Sequence, residues 1–133
     1  MLELALLLQD DAARGVAAVG LTLPRVQLTW LVHHHGPMTQ RALADALRVT
    51  PRNVTGLVDA LVADGFVSRG AHPTDRRATL VSLTDHGAAV MTVMARDYEA
   101  LAERLFGEMP DPAAFSAGLD HVLSRLKEAL SDS

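Results

Sequence analysis

At Gly65 the hydrophobic repeat of this chain changes period, and no other feature restricts its fold as strongly. Before that point Val54, Leu57, Val58 and Leu61 follow the i, i+3, i+4, i+7 spacing of a helix with one buried stripe. After it, Phe66-Val67-Ser68-Arg69 and Thr79-Leu80-Val81-Ser82-Leu83 read as two short strands, each bounded by turn residues. Between the strands lies Gly70-Ala71-His72-Pro73-Thr74-Asp75-Arg76-Arg77, a polar loop with arginines at its tip. Few small folds run an amphipathic helix straight into a hairpin with a basic tip.

The helix before Gly65 has well-signed ends. Thr50 suits the N-cap, Pro51 the first helical position, and Gly65 the close. A shorter helix precedes it, starting after Thr39 and carrying Leu43, Ala44 and Leu47 on one face, with Arg48-Val49 as the turn between the two. Further upstream one helix runs from about Leu2 to Val19, and another opens at Pro24 and ends near His35, where Gly36-Pro37 breaks it. Downstream, a long helix follows Thr84 with Met91, Met94, Tyr98, Leu101 and Leu105 at alternating spacings of three and four. Asp111-Pro112 starts the last helix, whose stripe is Phe115, Leu119, Val122, Leu126 and Leu130. The expected class is mostly α (α+β). A winged helix-turn-helix lobe with a two-stranded wing occupies residues 24–83, flanked by further helices over 1–23 and 84–133, all within one domain.

Composition narrows the function. Hydrophobic residues at 49% and charged residues at 21% fit a globular chain, and scarce aromatics (4%) beside abundant Ala and Leu favour helices. The absence of cysteine removes disulfides, thiolate metal sites and cysteine-based peroxide sensing. Leu2 to Leu8 is almost continuously apolar, yet no Lys or Arg precedes it and Gln9-Asp10-Asp11 ends it. Neither a secretory segment nor a membrane span fits that pattern, so the expected location is cytoplasmic, without a membrane partner. The net charge is −4, but residues 39–77 carry six arginines against four acids while residues 78–133 carry nine acids against four bases. Binding depends on the field at the contact surface, so an acidic remainder is compatible with a basic edge that meets DNA.

Residues 39–64 form the helix-turn-helix candidate. A major groove about 12 Å wide admits one helix, whose first turns present side chains to base edges. Here those are Arg52, Asn53, Thr55 and Gly56, and Arg and Asn can pair bidentately with guanine and adenine. Thr39, Gln40 and Thr50, at the starts of the two helices, complete the expected DNA-facing set. The bland alternative is a solvated helix face with a capping Thr; the adjoining hairpin weighs against it. Arg76 and Arg77 at the loop tip suit a narrow minor groove, where negative potential is concentrated. Asp75 cannot favour DNA by charge, and its expected part is to hold an arginine through a charge-assisted hydrogen bond. A surface ion pair of little consequence is the competing reading.

These residues resemble a known family. The stretch Leu43-Ala44 to Gly65-Phe66-Val67-Ser68-Arg69, then Asp75-Arg76-Arg77 and Leu83-Thr84-Asp85-His86-Gly87, is similar to the MarR family of bacterial regulators. The family's wing signature, Asp-x-Arg followed by Leu-Thr-x-x-Gly, is met by Asp75, Arg77, Leu83, Thr84 and Gly87 in order. The resemblance implies a homodimer built from the first, fifth and sixth helices on double-stranded DNA with a palindromic operator. It also implies repression relieved by a small aromatic or phenolic effector. Arg52, Asn53 and Thr55 would then lie in the major groove and Arg77 in the minor groove. The effector pocket it implies lies between the first, second and fifth helices, which nominates Trp30, His34 and Arg14, the last as a charge for a carboxylate. Trp30 also fits a plain core position. Two departures stand out: the first helix is short for the family, and Gly56 replaces what is commonly a longer, basic side chain.

Other functions fit less well. In His33-His34-His35 neighbouring side chains point about 100° apart on a helix, so the three cannot easily close on one ion. His72, His86 and His121 add no ligand-spaced pair, and no metal or cofactor is expected, although a zinc-responsive regulator stays as an alternative. No phosphate-cradling glycine loop, nucleophile elbow or His-Glu-x-x-His occurs, which argues against an enzyme. A winged-helix module that binds protein rather than DNA is the remaining alternative.

Overall fold

The computed structural model describes residues 2–132; helices start after the caps Thr39, Thr50, Thr84 and Asp111 as expected, while the second helix opens at Leu23, one residue before Pro24. The elements run α1 (Leu2–Ala18), α2 (Leu23–His35), β1 (Met38–Thr39), α3 (Gln40–Leu47), α4 (Pro51–Ala63), β2 (Val67–Ala71), β3 (Thr79–Leu83), α5 (Asp85–Phe106) and α6 (Pro112–Ser131). Thr39 Oγ1 accepts from the Ala42 N–H at 3.0 Å, Thr50 Oγ1 from Asn53 at 3.1 Å, and Asp111 Oδ1 from Ala114 at 3.1 Å. Each bond satisfies one of the donors that a helix start leaves without a partner. The chain forms two compact units, one through Met94 and the other from Ala95 onward.

In the first unit, α4 buries the stripe its sequence predicts. Val54, Val58 and Leu61 are fully buried beside Leu28, Leu43, Val81 and Met91, while Leu57 lies half-buried at the edge. Gly65, at φ +81°, ends the helix as expected. Its N–H bonds the Val62 carbonyl and the Phe66 N–H bonds Leu61, a paired closure that needs a left-handed residue at this point.

The two expected wing strands are present as β2 and β3, and a third strand, β1, joins them in an antiparallel sheet of order β1-β3-β2. Its register pairs Met38 with Val81, Thr39 with Leu80, Val67 with Leu83 and Ala71 with Thr79. The added strand, β1, has only two residues, too short to show an alternating pattern, and its Thr39 also caps α3. The first predicted strand begins one residue later than read and runs on through Gly70 and Ala71, because β3 supplies partners that a turn-rich sequence does not suggest.

The Leu83-Thr84-x-x-Gly87 signature is the joint between sheet and α5. Thr84 donates its N–H to the Phe66 carbonyl at 3.0 Å, and its hydroxyl to the Gly65 and Phe66 carbonyls. The same Oγ1 accepts from the Gly87 N–H at 3.0 Å, capping α5. Gly87 is buried, and a Cβ built there would fall on the Phe66 carbonyl oxygen.

Much apolar surface stays uncovered within each unit. In the first, α1 buries only Val16 and exposes Leu2, Leu4, Leu6, Leu7 and Leu8. In the second, α6 buries nothing: Phe115, Leu119, Val122, Leu126 and Leu130 form the predicted stripe, and all of them are exposed.

Candidate nucleic-acid interface

The sequence of α4 divides the helix between a core side and an open side. Opposite its buried stripe, Arg52, Asn53, Thr55, Gly56 and Asp59 are exposed. Arg69 on β2 reaches across to the helix and to this face. Its Nε donates to Gln40 Oε1 at 2.9 Å, and its Nη2 donates to the Thr55 carbonyl at 3.3 Å and to Asp59 Oδ1 at 2.5 Å. One guanidinium thus ties the wing strand to the start of α3 and to the middle of α4. The planar fork of an arginine suits such a three-way contact; a lysine ammonium cannot reproduce its geometry.

Several residues expected at the DNA face also hold the lobe together. Thr39 and Thr50 are caps, as above. Thr55 donates its hydroxyl to the Pro51 carbonyl at 3.0 Å and accepts from Gln40 Nε2 at 3.4 Å. Gln40 joins Arg69 to Thr55 and lies half-buried. Arg52 and Asn53 stand differently: both are exposed, and only the backbone N–H of Asn53 is engaged in the cap.

The wing tip is shaped by two side chains. His72 Nδ1 accepts from the N–H groups of Thr74 at 3.2 Å and Asp75 at 3.1 Å, which curls the loop around the ring. Asp75 Oδ1 accepts from the backbone N–H of Arg77 at 3.0 Å. The charge-assisted bond expected of Asp75 is made to the backbone N–H of the arginine, a local turn that Asp makes readily. Arg76 and Arg77 are both exposed, and no ion pair is found for either guanidinium among the described residues. His72→Ala should leave the fold intact while the Thr74 and Asp75 amides exchange about fivefold faster, the worth of one ordinary hydrogen bond each. Amide exchange read by NMR checks this, and unchanged rates at both positions would refute the part given to His72.

Sequence reasoning passed over Arg69 and His72. A basic residue on a strand facing a helix acid was the available sign for the first. An acceptor ring just before Pro73-Thr74-Asp75 was the sign for the second.

The residues nominated for an effector lie on α1 and α2. Trp30 is half-buried, and its ring meets His34 edge-on with centroids 4.5 Å apart and His33 at 5.8 Å. The side chain of Arg14 is 80% exposed and pairs with Asp10 one turn back. No group of three or more His, Asp or Glu among the described residues is placed to share an ion. No single described helix is long and apolar enough to cross a membrane.

The family model described as "MarR family" matches residues 21–79, which covers the helix-turn-helix and most of the wing. The uncharacterised HTH-type transcriptional regulator YdgJ of Bacillus subtilis is 35% identical over 116 residues, 87% of this chain and 70% of that one. This chain belongs to the MarR family. The uncharacterised HTH-type transcriptional regulator Mb0904 of Mycobacterium bovis is 37% identical over 86 residues, and the match spans 64% of this chain and 60% of that relative's length. Both relatives carry the name of transcriptional regulators, not of enzymes. Streptococcus pneumoniae FabT, solved in complex with DNA, shares the fold at a TM-score of 0.82 and 20% identity, over 96% of this chain and 91% of that one.

Proposed function

We propose that this MarR-family chain is a sequence-specific DNA-binding regulator that acts as a homodimeric repressor on a palindromic operator. The observation that carries the reading is the uncommitted chemistry of one lobe. Arg52 and Asn53 on α4, and Arg76 and Arg77 on the wing, point their polar heads to solvent, while Arg69 and His72 hold the elements beneath them in place. Holding two long cationic side chains at a shaped loop tip serves no internal contact, but it suits a phosphate backbone or a minor groove. That a chain of the same fold was solved on DNA supports the same reading.

Dimerisation is the second element of the proposal. The leucines of α1 and the stripe of α6 are each exposed within their own unit, and a symmetric second copy is the commonest way to cover such surfaces. The third element is an effector. Trp30 with His34 offers an aromatic wall for a small aromatic ligand, and the exposed Arg14–Asp10 pair, worth little on its own, can yield Arg14 to a carboxylate.

Selection of bound sequences from a random DNA pool tests the reading directly. The expected result is a palindrome with half-sites about 10 bp apart, centre to centre, so that both copies of α4 meet one face of the duplex. Binding should weaken steeply with salt. Enrichment of no sequence, together with salt-insensitive binding to protein, would identify a protein-interaction module instead.

A further inference from the structure

Gly56 stands at the middle of the open face of α4, four residues after Arg52 and three before Asp59, in the region of the helix proposed above to read bases. Nothing in the protein requires glycine there. Its φ is not positive, and a Cβ built on it meets no atom within 4 Å. Gly87, by contrast, is demanded by the backbone of Phe66, and Gly65 by its positive φ. A glycine in a helix interior destabilises the helix relative to alanine, because it surrenders more backbone freedom on folding. At Gly56 no internal contact offsets that loss.

The surroundings of Gly56 sharpen the point. Arg69 Nη2 binds the carbonyl of Thr55, the residue just before it, and the carboxylate of Asp59, one turn further on. The weakest point of α4 is therefore spanned by a clamp from the wing strand, yet the clamp leaves the space over Gly56 open. The clamp holds the helix at residues before and after Gly56, which itself carries no side chain.

We infer that Gly56 is a specificity-determining position, a gap in the reading face that lets the backbone of α4 approach the floor of the major groove. Close backbone approach to a ligand is one of the few uses that favour glycine over every other residue. A side chain at this point would hold the helix off the bases and lengthen the contacts made by Arg52 and Asn53. This inference rests on the proposed reading of α4 as the DNA-contacting helix.

Gly56→Ala tests it with two readouts on the 133-residue chain. Thermal melting should rise, by roughly 2–5 °C, since alanine favours the helix and meets no neighbour. Affinity for the operator selected by the wild type should fall roughly tenfold or more, while binding to unrelated DNA stays as it was. A variant that melts higher and binds the operator as tightly and selectively as the wild type overturns the inference and leaves the DNA-reading proposal standing. A variant that melts lower overturns it as well, because the fold would then have a need for Gly56. A wild type that selects no sequence at all counts against the underlying reading instead.

Discussion

Gly87→Ala should unfold about 10 °C below the wild type, the largest loss of stability expected from adding one methyl group to this chain. The new Cβ would overlap the Phe66 carbonyl oxygen, and the Phe66 carbonyl carbon lies only 3.0 Å from its ideal position. Phe66 cannot step aside cheaply, because its carbonyl accepts from both the N–H and the hydroxyl of Thr84. Relief requires moving the start of α5 away from the start of β2, which also strains the Gly87–Thr84 cap. Overpacking of this kind, with a hydrogen bond weakened, costs about 3 kcal/mol. In a domain of this size that corresponds to a shift of roughly 10 °C. Thermal melts of the two proteins decide the matter, and equal melting would mean that the joint between sheet and helix is softer than its geometry implies.

The second large effect concerns DNA and divides the interface by the kind of contact. Arg52→Ala and Asn53→Ala should each lose about 1–3 kcal/mol per contact, and base preference should relax at the matching positions. A dimer carries each contact twice, so even the low end amounts to roughly 30-fold weaker operator binding. Neither change should disturb the fold, since the cap on α4 uses only the backbone of Asn53. Arg77→Ala should behave otherwise. It removes one cation from each wing, and the slope of log K against log salt should fall in magnitude by between about 1 and 2 units, with sequence preference largely kept. Titrations of the selected operator at several salt concentrations separate the two classes. If the Arg52 and Asn53 variants kept wild-type affinity and selectivity, α4 would not be the reading helix.

What could be read from the sequence was what short-range chemistry decides. Thr39, Thr50 and Asp111 are caps in the structure because a cap needs only a side chain and an N–H within three residues. The α4 stripe followed from spacing alone. The strand β1 could not be seen, since Met38 and Thr39 become a strand only through Val81 and Leu80, far along the chain. The clamp of Arg69 was hidden for the same reason: its partners Gln40 and Asp59 lie 29 and 10 residues away. Asp75 is a different case. Its bond to Arg77 spans only two residues, so a charge-assisted bond to that arginine was open to local reasoning, and turn chemistry directs it to the backbone N–H. The exposed stripe of α6 was legible as a pattern, whereas what covers it is not a property of one chain.

The guanidinium of Arg69 has a bearing on how such a chain changes over generations. The side chains that tie α3, α4 and β2 together (Gln40, Thr55, Asp59 and Arg69) are largely distinct from those whose heads face solvent at the tip of α4 and the wing. Exchanging Arg52 or Asn53 breaks no side-chain bond of the scaffold, and filling the space over Gly56 displaces no atom. On the proposed reading, operator preference at Arg52, Asn53 and Gly56 is separable from structural integrity, whereas Gln40 and Thr55 would serve both. A duplicated copy could drift to a new target one side chain at a time, with every intermediate still folded.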